Sequence, residues 1–328
     1  MPAAPTLTGF TSACHEWAAG SDWQKVDIIS DLHLCPELPK TFAAWKRMML
    51  ESSADAIVIL GDLFEVWVGD DARSRPFEQD CVDVISEAAS RRQVAFMPGN
   101  RDFLLGRAML SACGMAGLPD PTVLTAWGHR LLLTHGDALC LSDKPYQAFR
   151  AQVRQAAWQL EFLARPLEDR LNIARSLRQE STQRRAFDGD TGIDVDAAAA
   201  VAAMHAFGAT TLVHGHTHRP GSDLLAPGFK RHVLSDWDLD DEQLPRAEVL
   251  RLDRSGLTRL NICAVGAADV ARLGVPVAAD AREGRAGAPC DRRRPLEAHA
   301  DPVSIPAPQR RRRRQRTAAP GQPVPRPQ

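Results

Sequence analysis

Residues 211–218 read Thr-Leu-Val-His-Gly-His-Thr-His, a short apolar run that ends in closely spaced histidines. Four earlier runs end in the same way, in side chains that bind metals. In chain order, the five clusters are Asp31-Leu32-His33, Gly61-Asp62, Gly99-Asn100-Arg101-Asp102, His135-Gly136-Asp137 and His214-Gly215-His216-Thr217-His218. The runs are β-branched or aliphatic and are stopped by glycine or polar residues, which is typical of strands buried in a sheet. We therefore predict strands at residues 26–30, 56–60, 94–97, 130–134 and 211–213.

The side chains at these strand ends predict a metal site, because strand ends converge on one site in open α/β sheets. Two aspartates, one asparagine and four histidines, without a thiolate, favour divalent Mn, Fe, Zn or Co over Ca or a structural zinc. A lone buried histidine is usually a core residue. Here, however, His216 and His218 lie on one side of an extended segment and accompany four other clusters. The seven ligands suit two ions that share a bridging carboxylate.

The order and spacing of the clusters resemble those of the calcineurin-like metallophosphoesterases, whose blocks are Asp-x-His, Gly-Asp, Gly-Asn-(His or Arg)-(Asp or Glu), His and Gly-His-x-His. Longer stretches are similar to one family within them, the UDP-2,3-diacylglucosamine pyrophosphatases of lipid A biosynthesis. These stretches are Gly-Asp-Leu-Phe-Glu-Val-Trp-Val-Gly-Asp-Asp at 61–71, Gly-Asn-Arg-Asp-Phe-Leu-Leu-Gly at 99–106, His-Gly-Asp-x-Leu-Cys at 135–140, Tyr-Gln-Ala-Phe-Arg at 146–150 and His-Gly-His-Thr-His-Arg-Pro at 214–220. The resemblance runs from about Val26 to about Ile262. It implies an α/β fold of two mixed β-sheets packed face to face and flanked by helices.

The resemblance also implies which residues hold the metals and the substrate. One divalent ion is held by Asp31, His33, Asp62 and His218, and the second by Asp62, Asn100, His135 and His216, with Asp62 as the bridge. The residues implied to hold the phosphosugar are Asn100, Arg101, Asp143, Ser181 and His216, and those implied to act in catalysis are Asp62, Asn100, Arg101, His135 and His216.

This chain departs from the family pattern at two positions where relatives often carry an amide and a lysine. The positions hold Arg185 and Asp188. Because Asp188 cannot pair with phosphate, the contact depends on Arg184 or Arg185, and we assign Arg185 to substrate binding.

Arg101 indicates the kind of leaving group. Many relatives place a histidine there, which can protonate a departing alkoxide, whereas Arg101 stays protonated and only stabilises anionic charge. Cleavage of a phosphoanhydride fits, because the departing phosphate is already a good leaving group. We expect hydroxide activated by two divalent ions, with Mn2+ as the expected metal, to attack the UMP phosphorus of UDP-2,3-diacylglucosamine and to release 2,3-diacylglucosamine 1-phosphate (lipid X).

The composition is typical of one large globular domain with additions: 328 residues, 44% hydrophobic and 25% charged. No run of about 18 apolar residues predicts a membrane span, and residues 1–23 do not resemble a secretory signal. Seven scattered cysteines indicate reduced thiols in the cytosol. We expect a cytoplasmic enzyme that associates peripherally with the cytoplasmic face of the inner membrane, where its lipid substrate lies.

The segment 144–185 has apolar residues at helical spacing, intervening arginines and a break at Pro166. Periodicity alone is equally consistent with helices that pack on the core and expose a solvated basic face. The resemblance favours a helical cap with an apolar chamber for acyl chains, which would also contact an anionic membrane surface.

We predict three regions: an N-terminal extension (1–23), a metallophosphoesterase domain (24–262) with the cap inserted, and a disordered Arg/Pro-rich tail (263–328). The tail has 13 arginines against six acidic residues. Its run at residues 310–314 is interpreted as solvated charge, without a specific nucleic-acid partner.

Two other functions are consistent with the ligand pattern. One is a binuclear phosphoesterase that acts on a nucleotide or a soluble phosphodiester; the loop at residues 64–71 and the amphipathic insertion argue against it. The other is a non-catalytic scaffold, which would be expected to lose ligands, and none is missing here.

Overall fold

The computed structural model describes residues 15–188 and 193–263, without the side chains of residues 180–188. This part of the chain forms twelve β-strands and seven α-helices. The strands are β1 His15–Ala18, β2 Val26–Ile29, β3 Ala56–Leu60, β4 Gln93–Met97, β5 Ala116–Gly117, β6 Thr122–Ala126, β7 His129–Thr134, β8 Thr211–His214, β9 Gly221–Ala226, β10 Phe229–Val233, β11 Glu248–Asp253 and β12 Gly256–Asn261. The helices are α1 Pro39–Glu51, α2 Pro76–Ala89, α3 Arg107–Cys113, α4 Lys144–Val153, α5 Ala156–Leu163, α6 Leu167–Asp188 and α7 Ala197–Ala206.

The strands form two mixed sheets. The first has the order β1-β6-β7-β8-β10-β9, and the second has the order β12-β11-β2-β3-β4-β5. The five runs predicted from the sequence are strands β2, β3, β4, β7 and β8, which confirms that prediction. Strands β2, β3 and β4 are parallel neighbours, and so are β7 and β8. The carboxyl ends that carry the predicted ligands therefore lie at one edge of each sheet.

Alternation of side chains along the strands builds a core between the sheets. Val58 of β3 and Leu133 of β7 belong to one buried cluster that draws on both sheets. Their neighbours Ile57 and Leu132 face the other way, where they pack with helices α1 to α3 and with α7, respectively. The result is a sandwich of helices, two sheets and helices, which confirms the predicted face-to-face packing.

The first sheet begins inside the stretch that we assigned to the N-terminal extension. β1 pairs in parallel with β6, from His15 opposite Thr122 to Ala18 opposite Thr125. This strand is short and mostly exposed at the sheet edge, so it has no buried apolar run from which to predict it. At the other end, Ile262 is buried and its N–H donates to the Ala247 carbonyl at 2.9 Å. Apart from Cys263, the predicted tail lies outside the described residues.

Helices α4, α5 and α6 occupy the segment predicted to be helical, with breaks at Pro166 and at residues 154–155. Phe162 and Leu171 lie in the same buried cluster as α1 to α3, and Trp158 packs against it. The insertion is therefore continuous with the protein core on one side. None of the described helices has the length and apolarity needed to cross a bilayer.

Two arginines of the insertion do not belong to a solvated basic face. Arg150 and Arg170 have side chains only 13% and 3% exposed, and they pair with Asp137 and Asp71. Periodicity places these two arginines between the apolar positions, but it does not show that carboxylates lie opposite them.

Candidate metal centre

Five of the seven predicted ligands lie on strained backbone at the strand ends. Of the six non-glycine residues with positive φ in the described chain, one is Trp127 in the β6–β7 hairpin. The other five are Asp31, His33, Asp62, His216 and His218, with φ of 54, 48, 52, 67 and 52°. Left-handed backbone is unfavourable for a residue with a Cβ and persists where the surrounding structure holds it, often at functional sites. The strain is thus concentrated where ligand side chains must be aimed.

Hydrogen bonds between the strand-end loops hold this backbone in place. Asp31 N–H donates to the Gly61 carbonyl at 3.1 Å, and His33 N–H donates to the Asp62 carbonyl at 3.0 Å. The His216 N–H donates to the two Asp31 carboxylate oxygens at 3.1 and 3.0 Å. Because His216 follows a strand of the first sheet and Asp31 a strand of the second, the two sheets are tied together at the site.

One group of ligand atoms is formed by Asp31, His33 and His218, which lie within 4.8 Å of one another. The Nε2 atoms of the two histidines are 3.2 Å apart. Asp31 Oδ1 lies 3.5 Å from His218 Nε2, and Asp62 Oδ2 lies 4.0 Å from His33 Nε2.

A second group lies on the other side of Asp62. His135 Nε2 is 3.7 Å from Asp62 Oδ1 and 2.9 Å from Asn100 Oδ1. His216 Nδ1 is 2.7 Å from the same amide oxygen. The two oxygens of Asp62 therefore face different groups, as the predicted bridging role requires. All seven predicted metal ligands are brought together.

Donor and acceptor roles show that the second group fits a cation. His135 Nδ1 lies 2.8 Å from the Leu60 carbonyl, so it carries a proton, and in the neutral imidazole Nε2 is then an acceptor. That Nε2 faces the amide oxygen of Asn100, which is also an acceptor. Two acceptors at this distance repel each other unless a proton or a cation lies between them.

Buried carboxylates give the centre a negative field. Burial opposes ionisation of Asp31, but the hydrogen bond from His218 and the nearby His135 hold its pKa well below the usual range. Burial would lower the pKa of His135, but Asp62 and Asp31 raise it to about 9, so without a bound cation a proton on Nε2 lies between this nitrogen and the Asn100 amide oxygen. Burial, with His135 nearby, lowers the pKa of His216 to about 4, so its imidazole is neutral and available as a ligand at pH 7. The residues fit divalent metal ions.

Comparison with known proteins agrees with this chemistry. The model of the calcineurin-like phosphoesterase family matches residues 24–220. UDP-2,3-diacylglucosamine hydrolase from Ralstonia nicotianae is 43% identical over 245 residues, which cover 71% of this chain and 91% of that protein. The enzymes of the same name from Xanthomonas axonopodis pv. citri and Bordetella pertussis are 43% and 41% identical, over 70% of this chain and 95% and 92% of theirs.

This chain belongs to the UDP-2,3-diacylglucosamine hydrolase family. Solved structures with some likeness include Vps29 from Entamoeba histolytica, at 13% identity and a TM-score of 0.37 over 74% of this chain and 94% of that one. A phosphoesterase from E. coli has 16% identity and a TM-score of 0.36 over 73% of this chain and 93% of its own.

In this hydrolase, the buried Asp102 connects two of the loops that carry predicted ligands. Its carboxylate accepts hydrogen bonds from the N–H groups of Gly99 and Leu63, both at 2.8 Å, and so ties the loop after β4 to the loop after β3. Burial and the neighbouring Asp62 raise its pKa to about 6. Asp102 belongs to one of the five clusters in the sequence, but the pattern alone assigns it no role.

Glu65 is a site residue of the hydrolase that the sequence analysis missed. Its carboxylate lies 3.3 Å from Arg101 and 3.4 Å from His33 Nδ1, and it also pairs with Arg178 of α6. Glu65 thus holds the guanidinium predicted to bind phosphate and lies beside the ring of one predicted ligand, His33. It is only three residues from Asp62, but no spacing rule distinguishes it from an exposed loop glutamate.

Asp137 links the insertion to the metal centre. Its buried carboxylate accepts hydrogen bonds from the Tyr146 hydroxyl at 2.5 Å and from Arg150 Nε at 2.8 Å. The Tyr146 ring lies 5.8 Å from that of His216, and Arg154 donates to the Gly99 carbonyl at 2.8 Å. Helix α4 is therefore anchored on the strand-end loops that carry the ligands.

Only some of the side chains predicted to bind substrate lie within the described residues. Asp143 caps α4, since its side chain accepts from the Tyr146 N–H at 3.0 Å. Arg101 lies at the centre, 24% exposed, with its N–H donating to Asp62 Oδ1 at 2.8 Å. The side chains of Ser181, Arg184, Arg185 and Asp188 lie outside the described residues, although their backbone belongs to α6.

Proposed function

We propose that this hydrolase cleaves the pyrophosphate bond of UDP-2,3-diacylglucosamine and releases UMP and lipid X. The observation that carries the proposal is Asp62, whose two carboxylate oxygens face separate ligand groups directly beside Arg101. The names of relatives more than 40% identical over most of their length support the substrate.

The proposed metal sites are the two groups described above: Asp31, His33, Asp62 and His218 for one ion, and Asp62, Asn100, His135 and His216 for the other. When bound, two divalent ions acidify water and neutralise charge on phosphoryl oxygens. Arg101 contributes a fixed positive charge, because its guanidinium is held by Glu65 at 3.3 Å. It stabilises the pyrophosphate oxygens as negative charge builds on the leaving phosphate.

Substrate choice tests the proposal. For the metal-reconstituted protein, kcat/KM for UDP-2,3-diacylglucosamine is expected to be at least about 100-fold higher than kcat/KM for bis-p-nitrophenyl phosphate. The reason is that remote contacts to the lipid and the nucleotide stabilise the transition state. A preference for the small diester, or for a soluble nucleotide, would favour the other binuclear phosphoesterase.

We propose Mn2+ as the activating metal. Sites with carboxylate and amide oxygens beside imidazole suit Mn2+, whereas Zn2+ binds more tightly to such mixed sites and is expected to inhibit. Protein whose metal ions have been removed with a chelator should therefore be inactive, and it should regain most of its activity when Mn2+ is added. Equal rates after adding Mg2+ alone and Mn2+ alone would contradict this assignment.

We propose that α5 and the neighbouring loop bind the acyl chains. The Trp158 ring stacks on Phe162 at 4.8 Å, and it lies 6.3 Å from the ring of Phe103, which follows Arg101 by two residues. An aromatic row thus leads from the catalytic loop into the insertion. Leu160, 72% exposed on α5, suits contact with the membrane that supplies the lipid. We place the protein at the cytoplasmic face of the inner membrane on these grounds.

Replacing Trp158 with serine separates acyl binding from chemistry. We expect KM for UDP-2,3-diacylglucosamine to rise about 10-fold or more, since an aromatic contact is worth about 1.5–3 kcal/mol. Hydrolysis of bis-p-nitrophenyl phosphate should stay within about twofold. Phe149→Ser is expected to have the same effects on the two substrates as Trp158→Ser. Phe162 is only 7% exposed in the core, so its replacement reports on folding.

Trp127→Ser is the matched control, because Trp127 lies before β7, at the opposite end from His135. This variant should leave KM and the rate of hydrolysis unchanged for both substrates. If Trp158→Ser instead lowers the melting temperature strongly and impairs both substrates equally, the helices are core packing and the acyl-chamber proposal is wrong.

We propose that the catalytic domain ends at Ile262 and that residues 263–328 are dispensable for catalysis. A chain that ends at Ile262 keeps all seven proposed ligands and every described strand. Its kcat/KM in detergent micelles should match that of the full chain, and a tenfold drop would contradict the proposal. Its formal charge changes from −1 to −8, so binding to anionic vesicles should weaken, most clearly at low salt.

A further inference from the structure

His218 is more exposed than its partner ligand His33: the two side chains are 36% and 12% exposed. Its Nε2 nevertheless faces the ligand group, 3.2 Å from His33 Nε2 and 3.5 Å from Asp31 Oδ1. An imidazole that is one-third exposed is not fixed by packing alone. A ligand that rotates loses more freedom when it binds an ion, so an interaction at its other nitrogen would strengthen binding.

That other nitrogen faces Asp236. His218 Nδ1 lies 3.9 Å from Asp236 Oδ2, which is beyond hydrogen-bond range, so the ring must move toward Asp236 for the two atoms to bond. The Asp236 carboxylate is largely buried, and its Oδ1 has no hydrogen-bond partner within the described residues. A buried carboxylate needs positive partners. When Nε2 faces a metal ion, Nδ1 carries the proton and can donate a hydrogen bond to the Asp236 carboxylate.

Two contacts hold Asp236 in this position. Arg246 Nε donates to Asp236 Oδ2 at 3.0 Å. The next residue, Trp237, is buried, and its N–H donates to the Asp31 carbonyl at 3.0 Å. The peptide that carries Asp236 is therefore fastened to the backbone of a proposed metal ligand. Arg246 is itself fixed, because its backbone exchanges hydrogen bonds of 2.8 and 2.9 Å with Asp238.

We infer that Asp236 is a positioning residue that orients the His218 imidazole toward the ion shared with Asp31 and His33, and that Arg246 holds the Asp236 carboxylate for this purpose. The inference rests on the proposed metal centre and deepens it. Asp236 acts only through His218, so it affects one of the two ions and leaves the ion of His135 and His216 unchanged.

Binding of Mn2+ alone to the metal-stripped full chain, measured by calorimetric titration, tests the inference. His218→Ala first identifies which of the two binding steps belongs to the His218 ion. Asp236→Asn should weaken the same step by about 10- to 100-fold, and the other by no more than about twofold. If the unaltered protein binds fewer than two Mn2+, the proposed metal centre fails before any variant is compared.

Asp241→Asn is the matched control. Asp241 also approaches Arg246, at 3.5 Å, and its other described contacts are the N–H groups of Gln243 and Leu244. It makes the same chemical change on the same loop, but it should leave both binding steps unaltered.

The double variant His218→Ala/Asp236→Asn separates positioning from general support of the fold. If Asp236 acts through His218, adding Asp236→Asn to His218→Ala causes no further loss of affinity. The metal-free melting temperature of Asp236→Asn should match that of the unaltered protein. A further loss in the double variant, equal weakening of both steps, a large fall in melting temperature, or unchanged binding in Asp236→Asn would each overturn the inference.

Discussion

The Asp62→Ala variant is expected to lose nearly all hydrolysis of UDP-2,3-diacylglucosamine, with kcat/KM lower by about 10³-fold or more. Asp62 Oδ2 faces His33 and Oδ1 faces His135, so one substitution removes an oxygen from both proposed metal sites. Oδ1 also accepts a hydrogen bond from the backbone N–H of Arg101 at 2.8 Å, so the loop that carries the guanidinium proposed to bind phosphate loses this contact. Steady-state kinetics and elemental analysis of Mn per chain measure the two effects.

Asp83→Ala provides the control, since Asp83 lies on the exposed face of α2. It should keep two ions per chain and full activity. If Asp62→Ala also retains two tightly bound ions per chain, Asp62 does not bridge and the binuclear assignment is wrong.

The Asp137→Ala variant is expected to have the largest effect on stability. The carboxylate is fully buried and accepts from Arg150 Nε and the Tyr146 hydroxyl. Burial opposes its ionisation, but Arg150, together with His135 and Arg154, outweighs that cost and holds the pKa of Asp137 well below its usual range. Removing it leaves the buried Arg150 charge without its partner, which costs about 3–5 kcal/mol. For a domain of this size the melting temperature should fall by roughly 6–20 °C.

Asp223→Ala is a matched comparison because it also removes an aspartate from an arginine. Asp223 contacts Arg231 at 2.8 and 2.6 Å, but it is 53% exposed. Such a pair is worth about 1 kcal/mol or less in solvent. Thermal unfolding of the metal-free proteins measures the fall in melting temperature for Asp137→Ala and for Asp223→Ala. Similar small shifts for both variants would show that Asp137 does not carry the anchoring role assigned to it.

The strands, and the polar side chains that converge at their ends, could be predicted because both signals are local. A buried parallel strand is a short apolar run, and the residues that follow it at β2, β3, β4, β7 and β8 lie within a few positions of its end. The face-to-face packing of the sheets came from the family resemblance, not from periodicity. The alternation of Ile57 with Val58, facing opposite layers, is invisible in a run that is apolar at every position.

The supporting residues could not be predicted, because their partners are distant in the chain. Asp236 approaches His218 across two strands, and Glu65 is joined to Arg178 of α6. Arg150 appears in the sequence as one of several arginines on an amphipathic helix. Only the folded chain shows that it faces Asp137. Local patterns indicate candidate ligands, whereas the contacts that orient them depend on the tertiary structure.

Hydrolysis in water enriched in oxygen-18 tests the central claim most directly. The Mn2+-reconstituted protein is incubated with UDP-2,3-diacylglucosamine, and the products are analysed by mass spectrometry. We predict UMP and lipid X as the only products, with one labelled oxygen in UMP, because water attacks the UMP phosphorus and the lipid phosphate leaves without a general acid. Label in the lipid phosphate would contradict the direction of attack, and an intact substrate in the presence of two bound Mn2+ ions would contradict the proposed function.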